Sequence, residues 1–253
     1  MFSGTQRKRL WLILYFVASA YPQTTTSPPT FNLSSPSLAA HANLPQHQLV
    51  GRNLTEALAD TRLLANSKGI PWKGLDLIVS DGPGNLAGFS QEGLMKLYNG
   101  IACRADSIVI GTVNAQASHV STSNTSVYSD YSLVVEAVIG TSPNSPLKPN
   151  HAIAVTRPGG SVVIGDGRVN FEYREYPKLT PGNRYLQFLG RIPESGGYRP
   201  LDNWSTLVES KQGHWMIARS AFERLVLPAF SSLNLEAAVR GWLANCPQSG
   251  GVK

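Results

Sequence analysis

Hydrophobic and polar positions alternate through the middle of the chain with the two-residue period of β-strands. The clearest alternation is in residues 127–138, where Tyr131, Leu133 and Val135 alternate with Ser132, Val134 and Glu136. A period of two places one set of side chains on a core face and the other on a wetter face. Shorter runs rich in β-branched and aromatic residues occupy residues 107–113, 152–156, 161–164, 168–173 and 184–189.

Turn residues separate these runs. The run at residues 152–156 is followed by Arg157, Pro158, Gly159 and Gly160, and the run at residues 161–164 is followed by Gly165-Asp166-Gly167. Proline fixes φ and glycine accepts a positive φ, so both stretches favour turns. Because no helical pattern intervenes, residues 103–189 are predicted to form one mainly antiparallel barrel of about five strands.

Helical periodicity precedes the predicted barrel. Asn53 stands three residues before Glu56, which is a helix-start signature, and Leu54 and Leu58 lie on one face of that helix. Residues 75–79 predict a short strand, and residues 90–101 predict a second amphipathic helix that leads to Cys103.

The C-terminal part predicts a hairpin and two helices. Residues 205–208 and 214–218 form the hairpin, and residues 220–227 form a short helix. Leu235, Val239 and Trp242 then fall on one apolar stripe of a final helix, with Asn234 as its N-cap. The predicted fold class is therefore mainly β with flanking helices (α+β): an antiparallel barrel with a preceding helical segment and a C-terminal amphipathic helix.

Two short motifs carry a family resemblance. Cys103-Arg104-Ala105-Asp106, followed by a Val/Ile-rich run, resembles the opening strand of the OB-like barrel in tissue inhibitors of metalloproteinases and netrin-like modules. Residues 181–189 are similar to the Gly-x-x-Tyr-Leu strand of exported bacterial proteins with such barrels. The resemblance implies an OB-like barrel and, as one alternative, protease inhibition. Those inhibitors chelate a metal through a cysteine at their mature N-terminus, whereas a long segment precedes Cys103, so that mechanism requires proteolytic trimming.

The N-terminus predicts export. Basic residues 7–9, an apolar run to Val17 and the small residues Ala18-Ser19-Ala20 match a secretory signal peptide. The next segment is rich in Thr, Ser and Pro, which is typical of a disordered linker. We therefore divide the chain into a signal peptide (1–20), a disordered linker (21–48), a helical pre-barrel segment (49–102) and the barrel with its hairpin and helix (103–253). The predicted location is extracytoplasmic, secreted or periplasmic, with no membrane span after signal cleavage.

The charge of the chain does not indicate nucleic-acid binding. The formal net charge is +6, and removing Arg7, Lys8 and Arg9 leaves +3, spread along the chain. A nucleic-acid interface requires a clustered basic face. The two cysteines, Cys103 and Cys246, are predicted to pair in an oxidising compartment; the alternative is two separate buried thiols.

No catalytic, metal or cofactor motif stands out. The five histidines are far apart, no Gly-x-Ser-x-Gly elbow occurs, and the dinucleotide-like Gly82-Pro83-Gly84 is interpreted as a plain turn because Pro83 lacks an N–H for phosphate. Asp130 and Glu136 are interpreted as solvated strand residues. We therefore assign no catalytic, metal or cofactor-binding residue from sequence.

The leading functional hypothesis is a non-enzymatic module that binds a protein or glycan of the cell envelope or medium. Its predicted contacts are exposed loops at residues 117–126 and 141–150 and the loop of Arg157, Pro158, Gly159 and Gly160. The alternatives are a protease inhibitor, by resemblance, and an extracytoplasmic hydrolase. The hydrolase hypothesis requires His119, His151 or His214 to meet distant carboxylates.

Overall fold

The computed structural model describes residues 31–33, 41, 53–79, 90–143, 146–218 and 226–247. The predicted signal peptide, most of the predicted linker and the Gly82-Pro83-Gly84 turn lie outside the described residues. Three helices and eleven strands are found in the described part: α1 (Leu54–Ser67), β1 (Leu75–Val79), α2 (Gln91–Arg104), β2 (Ser107–Val120), β3 (Val127–Thr141), β4 (Ala152–Pro158), β5 (Gly160–Ile164), β6 (Gly167–Tyr173), β7 (Arg184–Arg191), β8 (Tyr198–Pro200), β9 (Thr206–Glu209), β10 (His214–Ile217), β11 (Val226–Ser231) and α3 (Ser232–Ala244).

The larger sheet has the strand order β11-β10-β9-β7-β2-β3-β4-β8. Strand β2 pairs antiparallel with β3 and β7, and β3 pairs antiparallel with β4. The short strand β8 hydrogen-bonds to both β7 and β4. The prediction of a mainly antiparallel β-structure with flanking helices is confirmed at this level.

Strands β5 and β6 do not join the larger sheet, contrary to the prediction of one barrel for the whole region. They form a separate sheet with β1, in the order β1-β6-β5, and β6 runs parallel to β1. Helix α1 covers this sheet, since its Leu54 and Leu58 share a buried cluster with Val169 and Phe171. The alternation in β6 specified which face is buried but not which strand lies beside it.

The larger sheet buries side chains on both of its faces. One face carries an apolar cluster that includes Val109, Tyr131, Leu133 and Val155. The opposite face packs against α2 and α3, where the rings of Tyr98 and Trp242 stack with centroids 5.8 Å apart. The apolar stripes of these helices therefore find their partner on the sheet, as amphipathic helices require.

A disulfide joins Cys103 in α2 to Cys246, which follows α3. The Cα atoms are 5.3 Å apart and the two residues are separated by 143 positions in sequence. The predicted cysteine pair is therefore present in the structure. Such a bond is compatible with an oxidising compartment.

The ends of several elements agree with the sequence signals. The side chain of Asn53 accepts the backbone N–H groups of Thr55 and Glu56 and caps α1 as predicted. Helix α3 begins at Ser232, two residues before the predicted cap Asn234. Residues 226–227, predicted to end a short helix, instead lie in β11, which pairs with β10; residues 220–225 lie outside the described part.

Among the described residues, no helix is both long and apolar enough to cross a lipid bilayer.

Candidate functional site

A buried polar cluster lies where β3 and β4 pair. Asp130 and Thr156 are register partners, and both are fully buried. The Thr156 hydroxyl donates to Asp130 Oδ1. The prediction that Asp130 is solvated is wrong, because other parts of the chain cover this face of the strand pair. Glu136, by contrast, is exposed.

His41 is one of the residues that cover this face. Its Nδ1 lies 2.8 Å from Asp130 Oδ1 and 2.5 Å from Thr156 Oγ1, and its side chain is fully buried. Nearby, the Phe31 N–H donates to Ser132 Oγ at 2.8 Å, and Leu33 is buried. The described residues of the predicted linker therefore contact the sheet. The rest of that linker lies outside the described part and stays a prediction.

Ser195 approaches the other nitrogen of His41. Its Oγ lies 2.5 Å from His41 Nε2, on a turn that is otherwise exposed at Pro193, Glu194 and Gly196. Gly196 has φ +69°, a left-handed conformation that favours glycine. A Cβ on Gly197 would lie 2.8 Å from His41 Nε2, so the residue after this turn must also be small.

These contacts favour one tautomer of the His41 imidazole. Nδ1 faces the Asp130 carboxylate and therefore carries the proton, while Nε2 accepts from the Ser195 hydroxyl. Ser195 Oγ also accepts the Gly197 N–H at 3.1 Å, which is compatible with its donating to His41. The order serine, histidine, aspartate is the order of groups in serine hydrolases.

His119 approaches the same carboxylate from another direction. Its Nε2 lies 3.4 Å from Asp130 Oδ2, and its ring packs against Tyr128 with centroids 5.2 Å apart. Burial, with a further contribution from the Asp130 charge, raises the pKa of Tyr128 to about 12. The cluster thus contains two imidazoles, one carboxylate and two hydroxyl groups.

Of the three histidines of the hydrolase hypothesis, only His119 meets a carboxylate. His151 and His214 are exposed and lie outside the cluster. Sequence reasoning missed His41 and Ser195, which are 89 and 65 positions from Asp130. No local spacing signals a site assembled over such separations.

The predicted contact loop of Arg157, Pro158, Gly159 and Gly160 is buried, and only Gly159 lies between the end of β4 and the start of β5. The Gly159 N–H donates to Val127 O at 2.8 Å, and Ser129 Oγ donates to Gly159 O at 2.7 Å. A Cβ on Gly160 would lie 2.5 Å from Ser129 Oγ, which leaves no room for a side chain. The glycines here permit close packing rather than exposure.

The other two predicted loops differ in part from expectation. Residues 117–120 continue β2, and Ser121 and Ser126 are buried in the turn that follows. Residues 146 and 148–150 are exposed, while residues 144–145 lie outside the described part.

Arg157 extends into the apolar face of the larger sheet. Its side chain is 2% exposed, its guanidinium lies 5.8 Å from the centre of the Tyr176 ring, and its Nη1 donates to Thr206 Oγ1 at 3.4 Å. Burial lowers its pKa, and the neighbouring tyrosines Tyr131, Tyr176 and Tyr185 act in the opposite direction. No carboxylate among the described residues forms an ion pair with it.

A half-open groove lies between residues 177–183 and the β9–β10 hairpin. We call it the 177–218 groove; its volume is about 570 Å³. Its lining combines apolar side chains with lysines, amides and hydroxyls: Pro177, Lys178, Thr180, Asn183, Tyr185, Val208, Glu209, Ser210, Lys211, Gln212, Met216 and Ala218. Glu209 is held by Arg184 at 2.9 Å, so the two exposed lysines leave an excess of positive charge.

Within the described residues, no group of three or more His, Cys, Asp or Glu side chains is arranged to hold a metal ion. No protein-family model matches the chain, and a search of curated proteins finds no match to it.

Proposed function

We propose that this protein is an exported binding module, and that the 177–218 groove takes an acidic segment of a protein of the cell envelope or medium. The observation that supports this proposal is the groove itself. Its volume of about 570 Å³ lies within the range of ligand sites in proteins.

The lining favours a peptide with carboxylate side chains. Lys178 and Lys211 are exposed, and neither forms an ion pair with a described residue. Val208 and Met216 offer apolar surface, and the amides of Asn183 and Gln212 can bond a peptide backbone. Among the described lining residues, the one aromatic side chain is that of Tyr185, which is 3% exposed and accepts the Thr180 N–H, so it offers no open ring face to a sugar.

The proposal includes closure of the barrel and export. Bonding of β8 to both β7 and β4 supports a closed ring β7-β2-β3-β4-β8, which is what the OB-like resemblance implies. The disulfide and the signal-like N-terminus support a secreted or periplasmic location. The metal-chelating cysteine of the inhibitors has no counterpart in Cys103, which is bonded to Cys246 within the fold.

The test measures binding of fluorescent peptides to the mature protein by anisotropy, using an acidic, a neutral and a basic peptide of equal length. We expect binding of the acidic peptide that weakens with salt. The double substitution Lys178→Gln with Lys211→Gln should weaken it roughly five- to tenfold, at up to about 1 kcal/mol for each exposed pair.

The matched control is Lys73→Gln with Lys148→Gln, which removes the same charge at two exposed positions outside the groove. An equal loss of affinity for the acidic peptide in both double variants would show only a general charge effect, and would contradict binding in the groove. A parallel pull-down from cell-envelope and medium fractions that recovers only glycan would contradict the proposal of a peptide ligand.

A further inference from the structure

We propose that Ser195, His41 and Asp130 form a serine-nucleophile site that hydrolyses activated carboxylic esters. This activity goes beyond the proposed binding function and uses none of the residues that line the 177–218 groove.

The hydrogen-bond chain has the geometry that activates a serine. Ser195 Oγ to His41 Nε2 is 2.5 Å, and His41 Nδ1 to Asp130 Oδ1 is 2.8 Å. The distance between base and orienting acid lies within the reach of about 2.6–3.2 Å expected for such groups, and the distance between nucleophile and base is slightly shorter. The base and the acid are fully buried, whereas Ser195 is half-buried on a turn whose neighbouring residues are exposed. A half-buried nucleophile beside a fully buried base and acid is an arrangement that such chemistry can use.

Thr156 and Gly197 act as positioning residues. The Thr156 hydroxyl contacts both Asp130 Oδ1 and His41 Nδ1, and so fixes the carboxylate and the ring relative to each other. Gly197 leaves the space that the imidazole occupies, because a Cβ there would lie 2.9 Å from His41 Cε1.

The reaction balances with water as the only co-reactant. Ser195 Oγ forms a bond to the ester carbonyl carbon while its proton moves to His41 Nε2. The carbon–oxygen bond to the alcohol then breaks, and the alcohol leaves with that proton. Water attacks the acyl-serine and gives a proton to His41, and the acid leaves as Ser195 regains its hydrogen.

The turn restricts the substrate class. The N–H groups of Ser195 and Gly196 donate to Ile192 O at 3.3 and 2.9 Å, and that of Gly197 donates to Ser195 Oγ. These three amides therefore give no donor to a developing oxyanion, and loss of one such donor costs about 10²–10³ in rate. We expect slow turnover of aryl esters with good leaving groups and no cleavage of amides.

The test uses the full mature chain. A fluorophosphonate probe reacts when Oγ bonds to phosphorus and fluoride leaves, and peptide mapping by mass spectrometry locates the label. We expect label on Ser195, none there in Ser195→Ala, and slow hydrolysis of 4-nitrophenyl acetate that Ser195→Ala abolishes. Ser123→Ala, at an exposed serine outside the cluster, should leave both readouts unchanged.

The base and acid are tested separately. His41→Gln should slow labelling at least 100-fold, and Asp130→Asn at least tenfold, because each removes the basicity or orientation of the imidazole. A labelling rate that rises with pH and loses that dependence in His41→Gln distinguishes a base from a merely structural contact.

An unlabelled Ser195 in the folded wild-type protein would overturn the proposal, whatever the stability of the variants. Labelling of Ser195 at the same rate in folded His41→Gln would also overturn it.

Discussion

Arg157 brings a charged guanidinium into the apolar face of the larger sheet without a carboxylate partner in the described part of the chain. It is 2% exposed, and its nearest compensation is the Tyr176 ring and the Thr206 hydroxyl. A buried charge without a partner is costly, and burial accordingly lowers the pKa of Arg157.

We therefore expect Arg157→Met to leave the free energy of unfolding unchanged or to raise it by about 1–4 kcal/mol, because Met fills much of the space without a charge. Arg157→Ala is the control for lost packing and should lower it by about 2–4 kcal/mol. Urea denaturation checks both. If Arg157→Met is as destabilising as Arg157→Ala, the guanidinium itself stabilises the fold, and the prediction is wrong.

Tyr128 links the polar cluster to stability at alkaline pH. Burial and the Asp130 charge raise its pKa from 10.0 to about 12, so the folded protein holds this phenol proton more tightly than the unfolded chain does. The free energy of unfolding should therefore fall as the pH rises from about 10 to about 12. Tyr131, whose pKa burial also raises, contributes to the same fall.

Tyr128→Phe should make this fall shallower, since Phe has no proton to lose. Urea denaturation between pH 9 and pH 12 measures how steeply the free energy of unfolding falls with pH in the wild type and in Tyr128→Phe. A further measurement at pH 7 gives the difference in free energy of unfolding that is due to the neutral hydroxyl. Equal slopes in the two proteins would contradict the assignment.

At the scale of single elements, the same substitution should have opposite effects in α2 and β2. A Cβ added to Gly100 meets no atom within 4 Å on the exposed side of α2, whereas a Cβ on Gly111 would lie 2.4 Å from Val134 O. Gly100→Ala should raise the free energy of unfolding by about 0.5–1 kcal/mol by restricting the unfolded chain. Gly111→Ala should lower it by about 1–3 kcal/mol, because β2 and β3 must separate locally.

Thermal and urea denaturation of the two variants check these signs. Destabilisation by Gly100→Ala would contradict the open surface at that position. A neutral Gly111→Ala would contradict the close approach of the two strands.

Elements differ in how far local sequence specified them. Asn53 and Ser90 capped α1 and α2 as side chains of their type do, and both helices begin at the following residue. Runs of alternating, β-branched and aromatic residues located β3 and β7, which are buried on both faces over much of their length. It failed to separate β5 and β6 from the larger sheet, since a two-residue period carries no information about the neighbouring strand.

At the scale of the whole molecule, the disulfide ties the end of α2 to the end of α3 across 143 positions. On the chain-entropy argument, a loop of that length contributes about 4–5 kcal/mol to stability, less any strain. The double substitution Cys103→Ser with Cys246→Ser should lower the free energy of unfolding by an amount up to this value. Urea denaturation of the oxidised wild type, the reduced wild type and the variant measures it.

The reduced wild type is the control for the serine side chains and should resemble the variant. An unchanged unfolding free energy in both would contradict a stabilising role for the bond.

The features that depend on local physics could be predicted from the amino-acid sequence. Periodicity of two and of 3.6 defined most strands and helices, capping residues defined helix starts, and two cysteines in a chain with a predicted export signal predicted one disulfide. Each of these depends on neighbouring residues, or on the only pairing that two cysteines within one chain allow.

The position of the buried polar cluster depends on how distant elements pack together. His41 and Ser195 are separated by 154 positions, yet they are hydrogen-bonded beside Asp130, and the side chain of Arg157, from the predicted contact loop, is buried. The separate sheet of β1, β5 and β6 is another such outcome. These contacts depend on which elements pack side by side, and that choice is made by the total burial of apolar surface over the whole chain rather than by any short segment of it.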